Sequence, residues 1–408
     1  MKVFALGGYG KVGLPAVKLL AQSDLITKIA VAGRSQERAA EAAAEIGEKA
    51  VAIQADGTDE EKLTTLLAGY DIIVNAASPE TILPTMRAAI HNGAHYCDLS
   101  WGKILEEAMQ FAPAAEAAGS TAILATGISP CISNLMGVHA ARQLDEVKQF
   151  QIGRAEVIDF AHGQELTPRQ WLSDPEESLA VLDNYKSYMM WMLKMLQDNG
   201  SSNIYIYHVG QWEMINPIKN EIPIPLAHGG ITTASPYYSG DDFWGTLPRD
   251  LAKEPPVDMW FSPFPPQLHS LLREQVLRML NGNIDSEFAV NSLYERVASD
   301  PHHWLTLPED YAPTSKLWVR AVGNKDGRPA QHTCSFTAPM WDLNGFFLTS
   351  VALVAAVFKI LRGEVKGRGV MLAEKAFEPQ SFFDEVVTLI PDPLPNGKLI
   401  GESFELLE

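Results

Sequence analysis

The sequence predicts an α/β protein: a doubly wound parallel sheet at the N-terminus, then a mixed α/β second domain. Three observations carry this reading. Short apolar runs alternate with amphipathic, alanine-rich segments from Met1 to about Ala125, and the first turn between them is a glycine cluster, Gly7 to Gly13. After Gly127 the texture changes to one rich in Trp, Tyr, Pro and Met. Regular alternation of strand and helix is what a parallel sheet covered on both faces requires.

Taken in order, the predicted strands are Lys2 to Leu6, Lys28 to Ala32, Ala50 to Gln54, Ile72 to Asn75, His95 to Asp98 and Thr121 to Ala125. The helices between them fall near Lys11 to Gln22, Gln36 to Ile46, Glu60 to Leu67, Pro79 to Asn92 and Ile104 to Ala118. Six strands with five intervening helices is the element count of a Rossmann domain. A helix at Cys131 to Leu144 leads out of it into a strand, Val147 to Val157. Further helices are expected at Pro175 to Leu196 and Pro266 to Leu280, and strands at Ile204 to Trp212 and Lys316 to Gly323. Lys325-Asp326-Gly327-Arg328 reads as a hairpin turn before a strand at Gln331 to Thr337. Asn216 to Pro266, with many prolines and glycines, reads as irregular connection, Asn344 to Arg362 as one apolar helix, and the rest as a tail. The expected domains are 1–127 for nucleotide, 128–340 for substrate and dimerisation, and 341–408 for the last helix and tail.

Composition narrows the function. A formal charge of -18 argues against nucleic-acid partners, since a phosphate backbone needs a surplus of Lys and Arg. The three cysteines, Cys97, Cys131 and Cys334, share no C-x-x-C spacing, so neither a disulfide framework nor a zinc site is indicated and a reducing cytoplasm fits. No signal-peptide pattern opens the chain, and the apolar stretch Phe346 to Leu361 is shorter than the roughly 20 residues of a membrane span. The histidines point to no metal site, so no metal is expected.

Gly8, Gly10 and Gly13 satisfy G-x-G-x-x-G between a strand and a helix. The first glycine permits the tight turn, the second lets backbone approach a pyrophosphate, and the third lets helix pack on strand. With Tyr9 between the glycines, the N–H groups of Lys11 and Val12 would then meet the phosphates at a helix N-terminus. An acid about 20 residues on would bind a ribose 2′-hydroxyl; here Gly33-Arg34-Ser35 lacks one. Arg34 and Ser35 therefore favour NADP(H) over NAD, unless Arg34 is a solvated loop residue and Ser35 only a helix cap. Asp56 and Gly57 after the third strand, and Asn75, Ala76 and Ala77 after the fourth, lie at the same sheet edge, as cofactor contacts or as ordinary turns.

With His95-Tyr96-Cys97-Asp98, Gly127-Ile128-Ser129-Pro130 and the apolar helix before Gly363-Glu364-Val365-Lys366-Gly367, these motifs resemble the saccharopine dehydrogenase-like reductases. That group includes saccharopine reductases, lysine dehydrogenases and carboxynorspermidine synthases. The resemblance covers roughly the first third and last fifth of the chain. It implies an NAD(P) site, hydride transfer between an imine and an amine, and an apolar helix that returns to the nucleotide domain. Two departures stand out: Ser129-Pro130-Cys131 replaces Asp-Pro-Gly, and Ala373 replaces the proline of a Pro-Glu pair. Saccharopine, with several carboxylates, would want clustered arginines, but those of the middle region are scattered.

Asp98 is the candidate to favour an iminium charge, with helix capping as the equal alternative. Cys131, near a helix N-terminus, is either an activated thiol or, the better reading, a small residue filling a tight entrance. Asn134 can bind a carboxamide or carboxylate, or fix the turn. The substrate is expected near Asp98, Cys131, Asn134 and Asn344, and a homodimer is expected. The leading expectation is an NADP(H)-dependent oxidoreductase acting on a C–N bond of an amino-acid-derived or amine substrate. The alternatives are reduction of an activated C=C bond and a non-catalytic NADP(H) sensor or scaffold.

Overall fold

The structure is a computed structural model, and it describes residues 1–100, 104–157, 204–208, 211–215, 222–225, 231–236, 257–264, 266–305, 316–337, 345–391, 394 and 397–407, with Met190, Leu193 and Gln197 as isolated helical positions. Two compact units emerge, one built on Met1–Glu146 and Gly345–Ser403, the other on Val147–Ser239, Pro255–Asn344 and Phe404–Glu408. The first unit thus runs past residue 127 to Glu146, and the last residues group with the second.

In the first unit, β1 (Lys2–Leu6), β2 (Lys28–Gly33), β3 (Ala50–Gln54), β4 (Ile72–Asn75), β5 (His95–Asp98) and β6 (Thr121–Leu124) fall where the apolar runs place them. All pair in parallel, in the order β6-β5-β4-β1-β2-β3. The covering helices α1 (Gly13–Gln22), α2 (Gln36–Ile46), α3 (Glu60–Leu66) and α4 (Ile82–His91) also match, although Pro79–Thr81 is a separate 3-10 turn. The helix expected over Ile104 to Ala118 divides into α5 (Ile104–Met109) and α6 (Ala112–Ala117). Pro113 sits in the first turn of α6, where its missing N–H costs nothing. The helix expected from Cys131 is α7 (Ile132–Ala141).

The tail is a correction. Gly369–Leu372 forms a further strand that pairs in parallel with β6, Gly369 opposite Thr121 and Leu372 opposite Leu124. It was hidden by its flanks: Gly363, Gly367 and Gly369 all have positive φ, so the sequence there reads as turn. Helix Pro379–Leu389 follows. Helix Phe346–Leu361 is buried on every face from Val351 to Ile360, which explains an apolar run without a stripe. Ser350 Oγ ties it to the Val12 carbonyl at 2.7 Å, so it packs on the nucleotide domain. Among the described residues no helix is long and apolar enough to cross a membrane.

The second unit is built on β7 (Glu146–Val157), a hairpin of β8 (Ile204–His208) with β9 (Gln211–Ile215), β10 (Ile222–Pro225), β11 (Ile231–Pro236), β12 (Val257–Phe264), β13 (Lys316–Lys325) and β14 (Arg328–Thr337). Its larger sheet has the order β10-β11-β12-β7-β13-β14, closed by the terminal strand Gly401–Leu406. The expected single strand Ile204 to Trp212 is therefore two, and the expected irregular segment contains three strands. Pro223 and Pro225 misled the reading, because β10 is an edge strand where proline is tolerated. The β13–β14 turn is as expected, with Asp326 and Gly327 both at positive φ. Helix Pro266–Leu280 also has its expected bounds. The helix expected at Pro175 to Leu196 lies outside the described residues, apart from positions 190 and 193.

Candidate functional site

The glycine loop leaves β1 with each glycine placed by a different constraint. A Cβ on Gly8 would stand 2.8 Å from the Ala5 carbonyl oxygen, and one on Gly13 only 2.1 Å from that of Gly7. These two are glycines because the turn and the helix close against backbone. Gly10 differs: its Cβ would meet only the Gly7 oxygen, at 3.1 Å, and otherwise open space. Such a cradle, which a side chain would fill, fits a pyrophosphate laid against backbone. Helix α1 starts at Gly13, so Lys11 and Val12 belong to the turn, with Val12 as N-cap. The Val12 N–H has no acceptor among the described residues, which suits a phosphate oxygen.

At the end of β2, the Tyr9 ring lies on Gly33, where a Cβ would be 2.4 Å from the tyrosine hydroxyl. That hydroxyl accepts the Ser35 N–H at 3.0 Å. Ser35 is the N-cap of α2 and its Oγ accepts the Arg38 N–H, so capping is real, while its own hydroxyl proton is left for another acceptor. Arg34 is exposed, and its carbonyl accepts from Gln54 Nε2. Arg38, which sequence reasoning did not assign, stacks its guanidinium on Tyr9 at 4.6 Å from the ring centroid. Its signal was present as the second arginine of the Arg34 turn, four residues on.

Asp56 is engaged in turn chemistry: its Oδ1 accepts the Thr58 N–H at 2.9 Å and hydroxyl at 2.7 Å. These bonds, with a smaller contribution from Arg34, hold its carboxyl below the usual range. Gly57 is buried, and a Cβ there would meet Thr81 and Leu6 side chains at 2.6 and 2.7 Å, so close packing requires a glycine there. Asn75 shapes the loop below the site. Its Nδ2 donates to Thr81 Oγ1 and to the Tyr96 hydroxyl, and its Oδ1 accepts the Ala77 N–H at 3.0 Å. Ala76 lies against Gly7, whose Cβ would stand 2.6 Å from the Ala76 carbonyl oxygen, so only a glycine with φ of 74° fits there.

The ends of β5 and β6 carry the expected catalytic set. Asp98 is fully buried. Its Oδ1 accepts N–H groups from Ser100 (3.0 Å) and Ala125 (2.9 Å) and the Ser100 hydroxyl, and its Oδ2 has no hydrogen-bond partner among the described residues. Burial raises its pKa. A group sealed in this way ties the strand ends together. Cys131 is likewise buried, at φ 99°, and burial, reinforced by the Glu374 charge, pushes its thiol well above the ordinary range. That direction is opposite to the one that activates a thiol as a nucleophile. Asn134 is buried within the first turn of α7, where Ser133 Oγ donates to its Oδ1 at 3.2 Å. Asn344 lies outside the described residues.

The structure brings a further element to the glycine loop. Helix Phe346–Leu361 begins at Gly345, which has φ 67° and whose Cβ would meet Ile128 at 2.6 Å. Lys11 Nζ lies 5.4 Å from the Phe346 ring centroid. The glycine loop, the Gly127-Ile128 turn and this helix N-terminus therefore meet within one unit, over the carboxyl ends of the strands, where doubly wound sheets bind ligands.

Sheet, glycine cradle and arginine-bearing strand end define a dinucleotide-binding Rossmann protein. Residues 3–123 match the model of the saccharopine dehydrogenase NADP binding domain. The whole chain is similar in fold to saccharopine dehydrogenase (L-Glu forming) from Saccharomyces cerevisiae, with a TM-score of 0.65, 14% identity and 99% of each chain covered. It is also similar to homospermidine synthase from Legionella pneumophila, solved with NAD, with a TM-score of 0.60, 11% identity, and 99% of this chain and 91% of that one covered. The chain is thus saccharopine dehydrogenase-like in its nucleotide domain and in its fold.

Proposed function

We propose that the chain is an NADPH-dependent oxidoreductase acting on a CH–NH or CH–NH2 bond, reducing an imine formed from an amine and a carbonyl compound or running the reverse reaction. The observation that carries this is the convergence of the open Gly10 cradle, the Gly127-Ile128 turn and the Gly345–Phe346 helix start on one sheet edge. NADPH rather than NADH is supported by the end of β2, where Arg34 and Arg38 stand and no acid takes the ribose position. The bound nicotinamide would supply the hydride at a carbon next to nitrogen. The protein's part is positioning: the glycine loop seats the pyrophosphate, and Asn75 and Asp98 fix the backbone at the strand ends from beneath. The substrate proposed is a small amine or amino-acid derivative, handled by a cytoplasmic homodimer.

The test is an absorbance screen at fixed NADPH, pairing amines with oxo-acids beside enones and dehydroamino acids. Oxidation of NADPH with amine and oxo-acid pairs is the expected result. Turnover confined to the unsaturated substrates would overturn the C–N reading, and binding of NADPH without turnover of any pair would favour a sensor.

A further inference from the structure

Two arginines stand at the end of β2, and their surroundings differ. Arg34 shares its field with acids: the Asp56 carboxyl is held low chiefly by Thr58, and that of Glu80 chiefly by the Ser78 hydroxyl, with Arg34 adding to both. Arg38 forms no ion pair among the described residues, and its guanidinium stands over the Tyr9 ring, with one nitrogen donating to the Tyr9 carbonyl at 3.5 Å. A stacked guanidinium keeps its edge donors available, which is the geometry that binds a phosphate through two parallel hydrogen bonds. Tyr9 is itself locked between the bare face of Gly33 and the Ser35 N–H, so the stack is preformed by three elements: glycine loop, strand end and first turn of α2.

We infer that Arg38, held over Tyr9, is the principal reader of a phosphate on the adenine-side ribose, with Tyr9 as its positioning residue and Arg34 in the lesser part. The inference deepens the NADPH reading above and rests on it. An unneutralised cation gains the full interaction with a dianionic 2′-phosphate, whereas Arg34 must divide its charge between that group and two nearby carboxylates. The 2′-hydroxyl of NADH offers Arg38 no anion, so the contact discriminates rather than merely binds.

Dissociation constants of NADPH and NADH, and of adenosine 2′,5′-bisphosphate beside AMP, measured by fluorescence titration of the full chain, test this. Arg38→Ala is expected to weaken NADPH about tenfold or more and NADH by about twofold or less, the size of one lost charge-assisted contact. Arg34→Ala should lower the NADPH to NADH preference by a smaller factor. Tyr9→Ala should reproduce the Arg38→Ala ratio, and Tyr9→Phe, which keeps the ring, should retain the wild-type ratio. A preference abolished by Arg34→Ala and intact in Arg38→Ala would overturn this inference and leave the NADPH reading standing. Equal affinity of the wild-type chain for NADPH and NADH would overturn both. Because Arg38 is exposed, its alanine variant is expected to melt with the wild type, and a lost preference at an unchanged melting temperature is then not misfolding.

Discussion

At the end of β2 the side chains are charged and exposed, Arg34 and Arg38 among them, whereas at the ends of β5 and β6 Asp98 is sealed and Cys131 nearly so. Both places lie on the carboxyl edge of one parallel sheet, and both carry residues of the types that bind or react. What separates them is solvation. At β2 the field of an exposed cation reaches an incoming ligand. At β5 and β6 burial favours the uncharged forms, and the acid spends its Oδ1 on backbone N–H groups. Position on a sheet edge alone therefore marks a candidate site, and accessibility decides between ligand contact and scaffold.

The largest effect expected along this edge falls inside the glycine loop. Gly13→Ala would drive a Cβ to 2.1 Å from the Gly7 oxygen, a contact with backbone that no flexible side chain can relieve. A loss of about 3 kcal/mol or more in unfolding free energy is expected by denaturant titration. Gly10→Ala meets the Gly7 oxygen at 3.1 Å and should cost little stability, while NADPH binding falls about tenfold or more as the methyl fills the cradle. A Gly10→Ala variant that binds NADPH as well as the wild type would place the pyrophosphate elsewhere.

Next in size is Asp98→Ala, which leaves the buried N–H groups of Ser100 and Ala125 without their acceptor. About 2 kcal/mol of stability should be lost, from the usual penalty for orphaned buried donors. Arg34→Ala and Arg38→Ala, at the open end, should each stay within about 0.5 kcal/mol of wild type. Thermal melts of the three variants would collapse the contrast between the two ends if all of them melted alike.

This contrast also explains what could be read from the chain alone. The strands of the first unit carry uninterrupted runs such as Ile72-Ile73-Val74 and Lys28-Ile29-Ala30-Val31, each followed by a helical period, so their bounds were legible. The three roles of Gly8, Gly10 and Gly13 were legible because they follow from backbone geometry. The strand Gly369–Leu372 was not, since four residues opening on a glycine carry no period, and its pairing with β6 joins residues far apart in the chain. Nor was the sealing of Asp98. Its residue type and place at a strand end suit a catalyst and a cap equally, and its burial comes from the packing of β4, β6 and helix Phe346–Leu361 on β5, which no local pattern encodes.

The sharpest test of sealing is a pH slope. Burial raises the folded-state pKa of Asp98 above its ordinary value of 3.8. The folded protein then holds this proton in a range where the unfolded chain has released it. Stability from this group is accordingly full below about pH 3.8 and is lost as pH rises through the folded-state value. Asp98→Asn keeps an oxygen for Ser100 and Ala125 and removes the titration. Subtracting its unfolding free energies from those of wild type between pH 4 and 7 should leave a fall with rising pH, of at most about 1.4 kcal/mol per pH unit from one carboxyl. A flat difference would mean that Asp98 is solvated like Arg34 and Arg38, and the two ends of the edge would no longer differ in the property that assigns one to ligand and the other to scaffold.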